Sequence, residues 1–278
     1  MPITKQQGIT LIEMMIAMVV SLVLVAGVGT IYVSSKRTYQ TRDQLSSMDE
    51  TARVALDMLT KHLEHAGYAT PDKLPIGDYM YYSGASDPVV VSCAGSDSIL
   101  KLSDVINRAT KNSFNSYGDV AAVRFIGDDV VYTDCANGSL PAGCRADVAP
   151  SMQAALIYNS FFVEKDSNGM EVLYCMGSRN TSKKPIVNGV ENIQFLYGVD
   201  ANGDGAVEYY ADAGNVGTAN WQRVVSIQVG ILVRSLVEVL DVKTAQSYRV
   251  LDVTVTKNDR YKRAVYSTVV QLRNVVEG

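Results

Sequence analysis

The chain of 278 residues carries 25 Lys and Arg against 29 Asp and Glu, a formal net charge of −4. This near balance lacks the basic excess of a nucleic-acid-binding protein, so we expect no nucleic-acid partner for this chain. Hydrophobic residues make up 47% of the sequence, which is enough for a buried core. They are unevenly spread, however, and a large share lies in one run near the N-terminus.

That N-terminal region begins with a short polar leader and continues as an apolar run. Residues 1–8 contain one Lys and end in Gly8, and the stretch from Met14 to Val33 carries no charge. A run of about 20 apolar residues is long enough to cross a bilayer as a helix. A secretory signal peptide would place its cleavage site after the apolar run rather than before it. The pattern therefore predicts a membrane-spanning helix that directly follows a leader.

Glu13 is the one charged residue between Ile9 and Val33. A carboxylate costs about 2.5–3.5 kcal/mol at the centre of a membrane helix and less near its end. Glu13 is therefore either tolerated at the interface or paired with a cation. Cleavage after Gly8 would create such a cation, the α-amine of Ile9. Pairing between Glu13 of one subunit and the amine of a neighbour would set the register of subunits inside the membrane.

The segment Gly8 to Glu13, Gly-Ile-Thr-Leu-Ile-Glu, resembles the class III signal of type IV prepilins and type II secretion pseudopilins. The resemblance implies that prepilin peptidase cleaves after Gly8 and methylates Ile9, where the family usually has Phe. It also implies that Glu13 is the assembly residue. The expected location is the inner membrane, as a single-pass protein with a periplasmic head that later enters a filament or its tip. The expected partners are other minor pilins, the major pilin and the peptidase.

The predicted helix continues beyond the membrane. From Gln44 to Ala66, apolar residues recur every three or four positions, which is typical of an amphipathic helix. Gly67 is expected to cap this helix, and Pro71 excludes a continuation. We divide the chain into a leader (1–8), a transmembrane and assembly helix (9–34), its amphipathic continuation (35–67) and a β-rich periplasmic head (68–278).

The head is expected to consist of antiparallel sheets, because segments rich in β-branched and aromatic residues alternate with turn residues. The predicted strands are Val89–Val91, Val120–Ile126, Ala155–Glu164, Met170–Met176, Val190–Val199, Arg223–Leu232, Tyr248–Thr256 and Tyr261–Val275. Asp166 to Gly169 predicts a hairpin turn, and Thr70 to Cys93 a loop. The predicted fold class is α+β and pilin-like, with a long N-terminal helix packed against the head.

Three segments, Gly189–Phe195, Val224–Val229 and Tyr266–Asn274, resemble the PilW family of minor pilins and the related J-type pseudopilins. This resemblance implies two sheets on the long helix and a low-copy role in starting or capping filaments. A type II secretion pseudopilin is the runner-up. A calcium-dependent tip adhesin and a membrane-anchored periplasmic domain that does not polymerise are further alternatives, although the last leaves Glu13 unexplained.

The segment from Asp200 to Glu208 is the one cluster with metal-ligand spacing. Oxygen-bearing side chains alternate along it and Gly205 follows, as at the start of an EF-hand loop, but Ala211 stands where the final Glu would be. The alternative is a solvated turn. A structural Ca²⁺ ion is the expected cofactor, and its expected ligands are Asp200, Asn202, Asp204, the carbonyl of Ala206, Glu208 and Asp212.

Neither a catalytic motif nor a zinc site is recognisable. His62 and His65 are three residues apart on the predicted helix, but no third ligand accompanies them, so surface histidines are expected. Nucleophile elbow, P-loop and dinucleotide fingerprints are missing from the sequence. We therefore expect a structural subunit rather than an enzyme.

Four cysteines suggest two disulfides in an oxidising compartment, with free buried thiols as the alternative. Cys135 and Cys144 flank a turn-rich segment and are the preferred pair, which leaves Cys93 and Cys175, although three connectivities are possible.

The charges that flank the apolar run favour the opposite orientation. Lys36, Arg37 and Arg42 follow the run and one Lys precedes it, which would place the head in the cytoplasm. The prepilin resemblance and the cysteines outweigh this asymmetry, so a periplasmic head is expected.

We predict that Gly8→Leu leaves the precursor uncleaved in the membrane, because the peptidase site requires the small residue before Ile9. Intact mass and N-terminal sequencing of the membrane-extracted protein measure this, with Gln6→Leu as the control that should be processed. Normal cleavage of the Gly8 variant would contradict a prepilin.

Overall fold

The computed structural model describes residues 10–69, 79–82, 93, 108–113, 116–149, 151–180 and 182–274. Gly8, Ile9, the predicted strand Val89–Val91 and most of the predicted loop before Cys93 lie outside the described residues. Within the described ranges the chain forms one α-helix, ten β-strands and three short 3-10 segments. The architecture is α+β, as predicted.

Helix α1 spans Leu11–Leu63, with Thr10 as its N-cap and Glu64 as its C-cap. Its 53 residues give a length of about 80 Å. The helix ends three residues before the predicted Ala66. Gly67 lies in the turn that follows, with φ +74°, and a Cβ there would come within 2.8 Å of the Asn274 carbonyl oxygen. Gly67 therefore allows the chain to turn closely past the C-terminal segment.

The strands form two antiparallel sheets and a separate hairpin. In chain order they are β1 Ala121–Ile126, β2 Leu156–Lys165, β3 Glu171–Gly177, β4 Lys184–Asn188, β5 Val190–Val199, β6 Tyr209–Ala211, β7 Val224–Arg234, β8 Thr244–Val250, β9 Val253–Asp259 and β10 Arg263–Gln271. The first sheet has the order β1-β2-β3-β4 and the second the order β10-β7-β5-β6, and β8 pairs with β9. The predicted turn Asp166 to Gly169 joins β2 to β3, with Gly169 at φ +79°.

The C-terminal half of α1 packs on β4, β7 and β10, and therefore on both sheets. Its buried stripe follows the predicted periodicity and consists of Met48, Ala52, Ala55, Leu59 and Leu63. These side chains meet the inner faces of both sheets in one core. Since one helix face serves both sheets, the two sheets and the helix fold as one unit.

Two local predictions about the strands are wrong. The segment Tyr248–Thr256 was predicted as one strand, but it belongs to the hairpin β8–β9, which turns at Leu251 with φ +52°. Strands β4 and β6 were not predicted, because β4 is mostly exposed and β6 has only three residues.

The four cysteines form two disulfides, but the preferred pairing is wrong. Cys93 pairs with Cys144, and Cys135 pairs with Cys175, with Cα–Cα distances of 5.6 and 6.0 Å. Cys135 reaches β3, where Cys175 lies in the main core, whereas Cys144 is buried in a second cluster around Phe125. The segment between Cys135 and Cys144 is thus fastened to two different parts of the head rather than closed on itself.

Candidate assembly and metal-binding sites

The first turn of α1 forms a capping box between Thr10 and Glu13. The backbone N–H of Thr10 donates to Glu13 Oε2 at 2.8 Å, and the Thr10 hydroxyl donates to the same oxygen at 2.9 Å. In return, the Glu13 N–H donates to Thr10 Oγ1 at 3.4 Å. These bonds satisfy helix N–H groups that have no partner within the helix.

The capping box gives Glu13 polar partners within its own chain. The carboxylate lies at the helix N-terminus, where the helix dipole favours a negative charge. This pairing was not predicted from the sequence, although Thr-x-x-Glu before an apolar run is its recognised signature. Glu13 nevertheless remains on the outer surface of the described chain, so its carboxylate is also accessible to another subunit.

Nothing in the described chain covers the first half of α1. The large apolar side chains from Leu11 to Val33 are all at least half exposed, and Leu11 itself is 80% exposed. Among the described residues, α1 is the one helix long and apolar enough to cross a membrane. Together with the leader pattern, this surface indicates membrane anchoring through α1.

Polar contacts lock the second half of α1 to the head. The Tyr266 hydroxyl donates to Asp49 Oδ1 at 2.5 Å, and Asn274 Nδ2 donates to the Glu64 carbonyl at 2.8 Å. The Gly67 N–H donates to the Arg124 carbonyl at 3.1 Å. These bonds join the helix to β1, to β10 and to the C-terminal segment, so a displacement of α1 is transmitted to both sheets.

His62 belongs to this helix–head interface. Its ring lies 5.9 Å from Phe161 and 6.0 Å from His65, centroid to centroid, and its Nδ1 is 3.5 Å from Asn159 Nδ2. Burial, reinforced by the charges of His65 and Lys61, lowers the pKa of His62 to about 4. The expectation of surface histidines is therefore wrong, because the head covers much of this face of the helix.

A buried ionic cluster connects the β8–β9 hairpin to the second sheet. Arg263 binds Glu191 at 2.5 Å and Asp259 at 2.6 Å, and Lys257 binds Glu191 at 3.1 Å. Burial raises the pKa of Glu191, but the hydrogen bonds and charges of Arg263 and Lys257 outweigh it and hold the pKa below its usual value. Removing one member of such a buried pair costs about 3–5 kcal/mol, so the cluster ties the hairpin to the sheet.

Three of the predicted metal ligands lie together in the loop after β5. Carboxylate oxygens of Asp200, Asp204 and Glu208 lie within 4.8 Å of one another. Oxygens bound to opposite sides of one Ca²⁺ ion are about 5 Å apart, since each Ca–O distance is about 2.3–2.6 Å. The group therefore has the dimensions and the chemistry to hold one hard divalent cation.

Backbone N–H groups shape this loop from within. Asp200 accepts from Gly203, Asp204 and Gly205, at distances from 2.6 to 3.2 Å. Burial raises the pKa of Asp200, but these N–H groups outweigh it and keep the pKa below its usual value. The Glu208 carboxylate accepts from the Ala201 N–H at 2.5 Å, which folds it back over the loop. The carboxylates of Asp200 and Glu208 are thus held in place by backbone N–H groups of the same loop.

The remaining predicted ligands differ in their positions. Asn202 lies beside the group, with its Nδ2 donating to Asp204 Oδ2 at 3.1 Å, and the Ala206 N–H donates to Asp204 Oδ1. Asp212 is not a member of the group, because its carboxylate accepts from Gly214 and Asn215 in the next turn. The structure therefore removes Asp212 from the predicted ligand set.

Two family models match the chain. The prokaryotic N-terminal methylation motif matches residues 3–29, and type IV pilus-assembly protein W matches residues 160–274. A type IV-like pilin from Thermus thermophilus aligns with 85% of this chain and 98% of its own at 14% identity, with a TM-score of 0.40, too low to support a conclusion. No protein of curated function matches the chain in sequence.

The leader motif, the uncovered apolar helix and the antiparallel head are similar to those of type IV pilin-like proteins. Within that class, the chain resembles the minor pilin PilW, whose model covers the region from β2 to the end of the second sheet. Pilins of this kind are structural subunits and not enzymes.

We predict that protonation of His62 loosens the helix–head interface. The folded-state pKa of about 4 lies below the ordinary value of 6.5, so the stability that neutral His62 contributes is lost as pH falls from about 6.5 towards 4. For this group alone the loss at pH 5 is about 2 kcal/mol. Urea unfolding of the head lacking residues 1–34, at pH 7.5 and pH 5, measures the free energy of unfolding.

At each pH, the free energy of unfolding of wild type is compared with that of His62→Gln. Burial raises the pKa of Asp119 to about 7, and this group acts in the opposite direction, but its effect cancels between the two proteins. Between pH 7.5 and pH 5, the free energy of unfolding of wild type should fall by about 2 kcal/mol more than that of the variant. A difference that does not change with pH would contradict the role of His62.

Proposed function

We propose that this protein is a minor pilin of a type IV pilus that acts in the complex that initiates the filament or forms its tip. One observation carries the proposal: a single helix of 53 residues has an uncovered apolar half that begins at Leu11 and a second half fixed to a folded head. The match to pilus-assembly protein W supports the minor role.

Maturation follows from the N-terminal motif. We expect prepilin peptidase to cleave between Gly8 and Ile9 and to methylate Ile9, which leaves Thr10 and Glu13 in the first turn of the mature helix. The subunit would first reside in the inner membrane as a single-pass protein with a periplasmic head. Two disulfides in the head are consistent with that compartment.

In the assembled state, other pilins would replace lipid around the apolar half of α1. The expected neighbours are other minor pilins and the major pilin. Glu13 of this subunit would exchange its bonds with Thr10 for the α-amine of a neighbouring subunit. The boundaries at residues 8, 34 and 67 would then separate the leader, the packing helix, its amphipathic continuation and the head.

The match to a pilus-assembly family favours a pilus over a type II secretion system. A tip adhesin would be favoured by a glycan-sized pocket beside Asp200. Three clefts in the described part of the chain lie along α1 and include no residue of that loop.

The loop from Asp200 to Glu208 would hold a structural Ca²⁺ ion within this subunit. Bringing three carboxylates together is unfavourable without a cation, and a bound divalent ion relieves the repulsion. It would fix the connection between β5 and β6 at the edge of the second sheet. Asp200, Asp204 and Glu208 would be its carboxylate ligands, and Asn202 and the Ala206 carbonyl the additional oxygen donors.

We predict that Glu13→Ala is inserted and processed but is depleted from filaments. If assembly recovers about 1.4 kcal/mol of the cost of placing this carboxylate in the membrane, the depletion is about tenfold. Immunoblotting of membranes and of sheared pili measures the two fractions. Glu50→Ala, an exposed change on the same helix, is the matched control and should assemble normally. Wild-type amounts of the Glu13 variant in pili would contradict the assembly role.

We predict that Ca²⁺ raises the melting temperature of the head lacking residues 1–34. Extracellular Ca²⁺ sites typically have dissociation constants of about 10⁻⁴–10⁻³ M. With such an affinity, 10 mM Ca²⁺ raises the free energy of unfolding of the head by about 1.4–2.7 kcal/mol relative to a buffer with chelator. Calorimetry should show this difference in wild type and in Asp212→Ala, whose carboxylate lies outside the group, but not in Asp204→Ala. Equal melting temperatures for wild type in both buffers would contradict Ca²⁺ binding and show that the loop is an ordinary solvated turn.

A further inference from the structure

The connection between β7 and β8, residues 235–243, runs down the side of α1 towards the membrane-spanning half. The Leu236 N–H donates to Gln44 Oε1 at 3.0 Å, and Asp241 Oδ1 lies 3.0 Å from Arg37 Nη1. These two helix positions are separated by about 10 Å along the axis. Arg37 lies closer than Gln44 to the membrane-spanning half of α1. The connection therefore approaches that half as it runs from Leu236 to Asp241.

The connection is held in this position by the head. The backbone N–H groups of Val239 and Leu240 donate to the Arg260 carbonyl at 3.1 and 3.0 Å, and Glu238 pairs with the Arg260 side chain at 3.6 Å. Val239 and Asp241 also line a cleft along α1 that extends down to Ala26. The segment therefore has a defined conformation within the head and lies beside the C-terminal end of the apolar run.

The length of the apolar run sets the depth of this segment in a bilayer. The 20 residues from Met14 to Val33 span about 30 Å, which equals the thickness of the hydrocarbon core. Arg37 lies four residues further, about 6 Å beyond the edge of the core. Each headgroup layer is about 5–7 Å thick. When α1 spans the membrane, the contact between Arg37 and Asp241 therefore lies within the headgroup layer.

Apolar and basic side chains are exposed at this depth, together with the carboxylates of Glu238 and Asp241. Val242 is 67% exposed and Val237 is 53% exposed. Asp241 and Glu238 are neutralised by Arg37 and Arg260. The exposed cations Lys36, Arg42 and Lys243 form no ion pair within the described ranges. They outnumber the one exposed carboxylate beside them that also lacks an ion pair there, Asp43, so the net unpaired charge of this region is positive.

We propose that residues 236–243, the membrane-contact loop, bind the lipid surface in which α1 is anchored. Val237 and Val242 enter the headgroup region, and Lys36, Arg42 and Lys243 attract the phosphates of anionic lipids. The proposal rests on membrane anchoring through α1, which is part of the proposed function. Its consequence is a second lipid attachment, which fixes the tilt and rotation of the head before the subunit leaves the membrane.

The test uses a tryptophan placed in the loop of the full chain. The chain has one native tryptophan, Trp221, which is 3% exposed in the core of the head. Val242→Trp adds a reporter at the proposed contact. Val148→Trp is the matched control, because Val148 is 65% exposed but belongs to the opposite end of the head. Ala146, two residues earlier, donates to the Gly127 carbonyl, and the neighbouring Ile126 donates to Tyr68, five residues beyond the C-terminal end of α1.

Both variants are reconstituted in vesicles of phosphatidylcholine and phosphatidylglycerol, with and without phospholipids brominated near the headgroup end of the acyl chains. Flotation of the vesicles first establishes that each variant is anchored through α1. The added fluorescence of V242W should shift to shorter wavelength and lose intensity with brominated lipid. The added fluorescence of V148W should stay at the wavelength of an exposed indole and keep its intensity.

If V242W floats with the vesicles but its added fluorescence is quenched no more than that of V148W, the loop does not bind lipid and the proposal is wrong. Anchoring through α1 would still hold in that case. A blue shift of V242W without bromine quenching, which grows as the protein-to-lipid ratio rises, would also overturn the proposal, because the loop would then bind a second copy of the chain. A failure of both variants to float with the vesicles would instead contradict the anchoring on which the proposal rests.

Discussion

The half of α1 between Leu11 and Val33 has an apolar surface that no other described part of the chain covers. Water cannot solvate such a surface without a large free-energy cost, so the helix must lie in lipid or among other helices. This requirement determines how the rest of the molecule is arranged. The buried contact between head and helix begins at Met48, and before that point only the connection between β7 and β8 reaches α1, at Gln44 and Arg37.

The head makes many buried and hydrogen-bonded contacts with the C-terminal half of α1. Leu59 and Leu63 are completely buried, and hydrogen bonds from Tyr266 and Asn274 fix the direction of α1 against the sheets. The two disulfides and the cluster around Arg263 strengthen regions in which the connections between strands are long. A stiff joint between helix and head means that packing of the helices in a filament also fixes the direction in which each head points.

The sequence was sufficient to predict the helix and most of the long strands, because hydrophobic periodicity is local and strong there. The hairpin β8–β9 was missed for a physical reason. Its alternating pattern continues through the turn, and the residue with positive φ is Leu251 rather than Gly or Asn. Leu251 lies against Gly230 of β7, where a Cβ would collide with it. A tertiary contact thus stabilises a turn that the local sequence disfavours.

The functional sites were predictable to different degrees. The carboxylates of Asp200, Asp204 and Glu208 alternate in one short loop, so their spacing alone brought them together. Asp212 was misplaced because strand β6 pairs with β5 and carries the chain away from the loop before Asp212 is reached. The disulfides could not be deduced, since Cys135 and Cys144 are neighbours in the chain but face different hydrophobic clusters. The environment of His62 depends on Phe161, about a hundred residues away in the sequence.

The capping box at Thr10 has a consequence for the energetics of polymerisation. Glu13 is already bonded in the single subunit, so the proposed pairing with a neighbour would be an exchange of partners and not the capture of a free charge. An N-cap contributes about 1 kcal/mol, and this amount is subtracted from what each new intersubunit pair can supply. The net contribution of this pair to assembly would therefore be smaller than the strength of the ion pair. Retention of a subunit in a polymer would then depend more on how neighbouring helices cover the apolar surface of α1, while Glu13 would select the register of the neighbour.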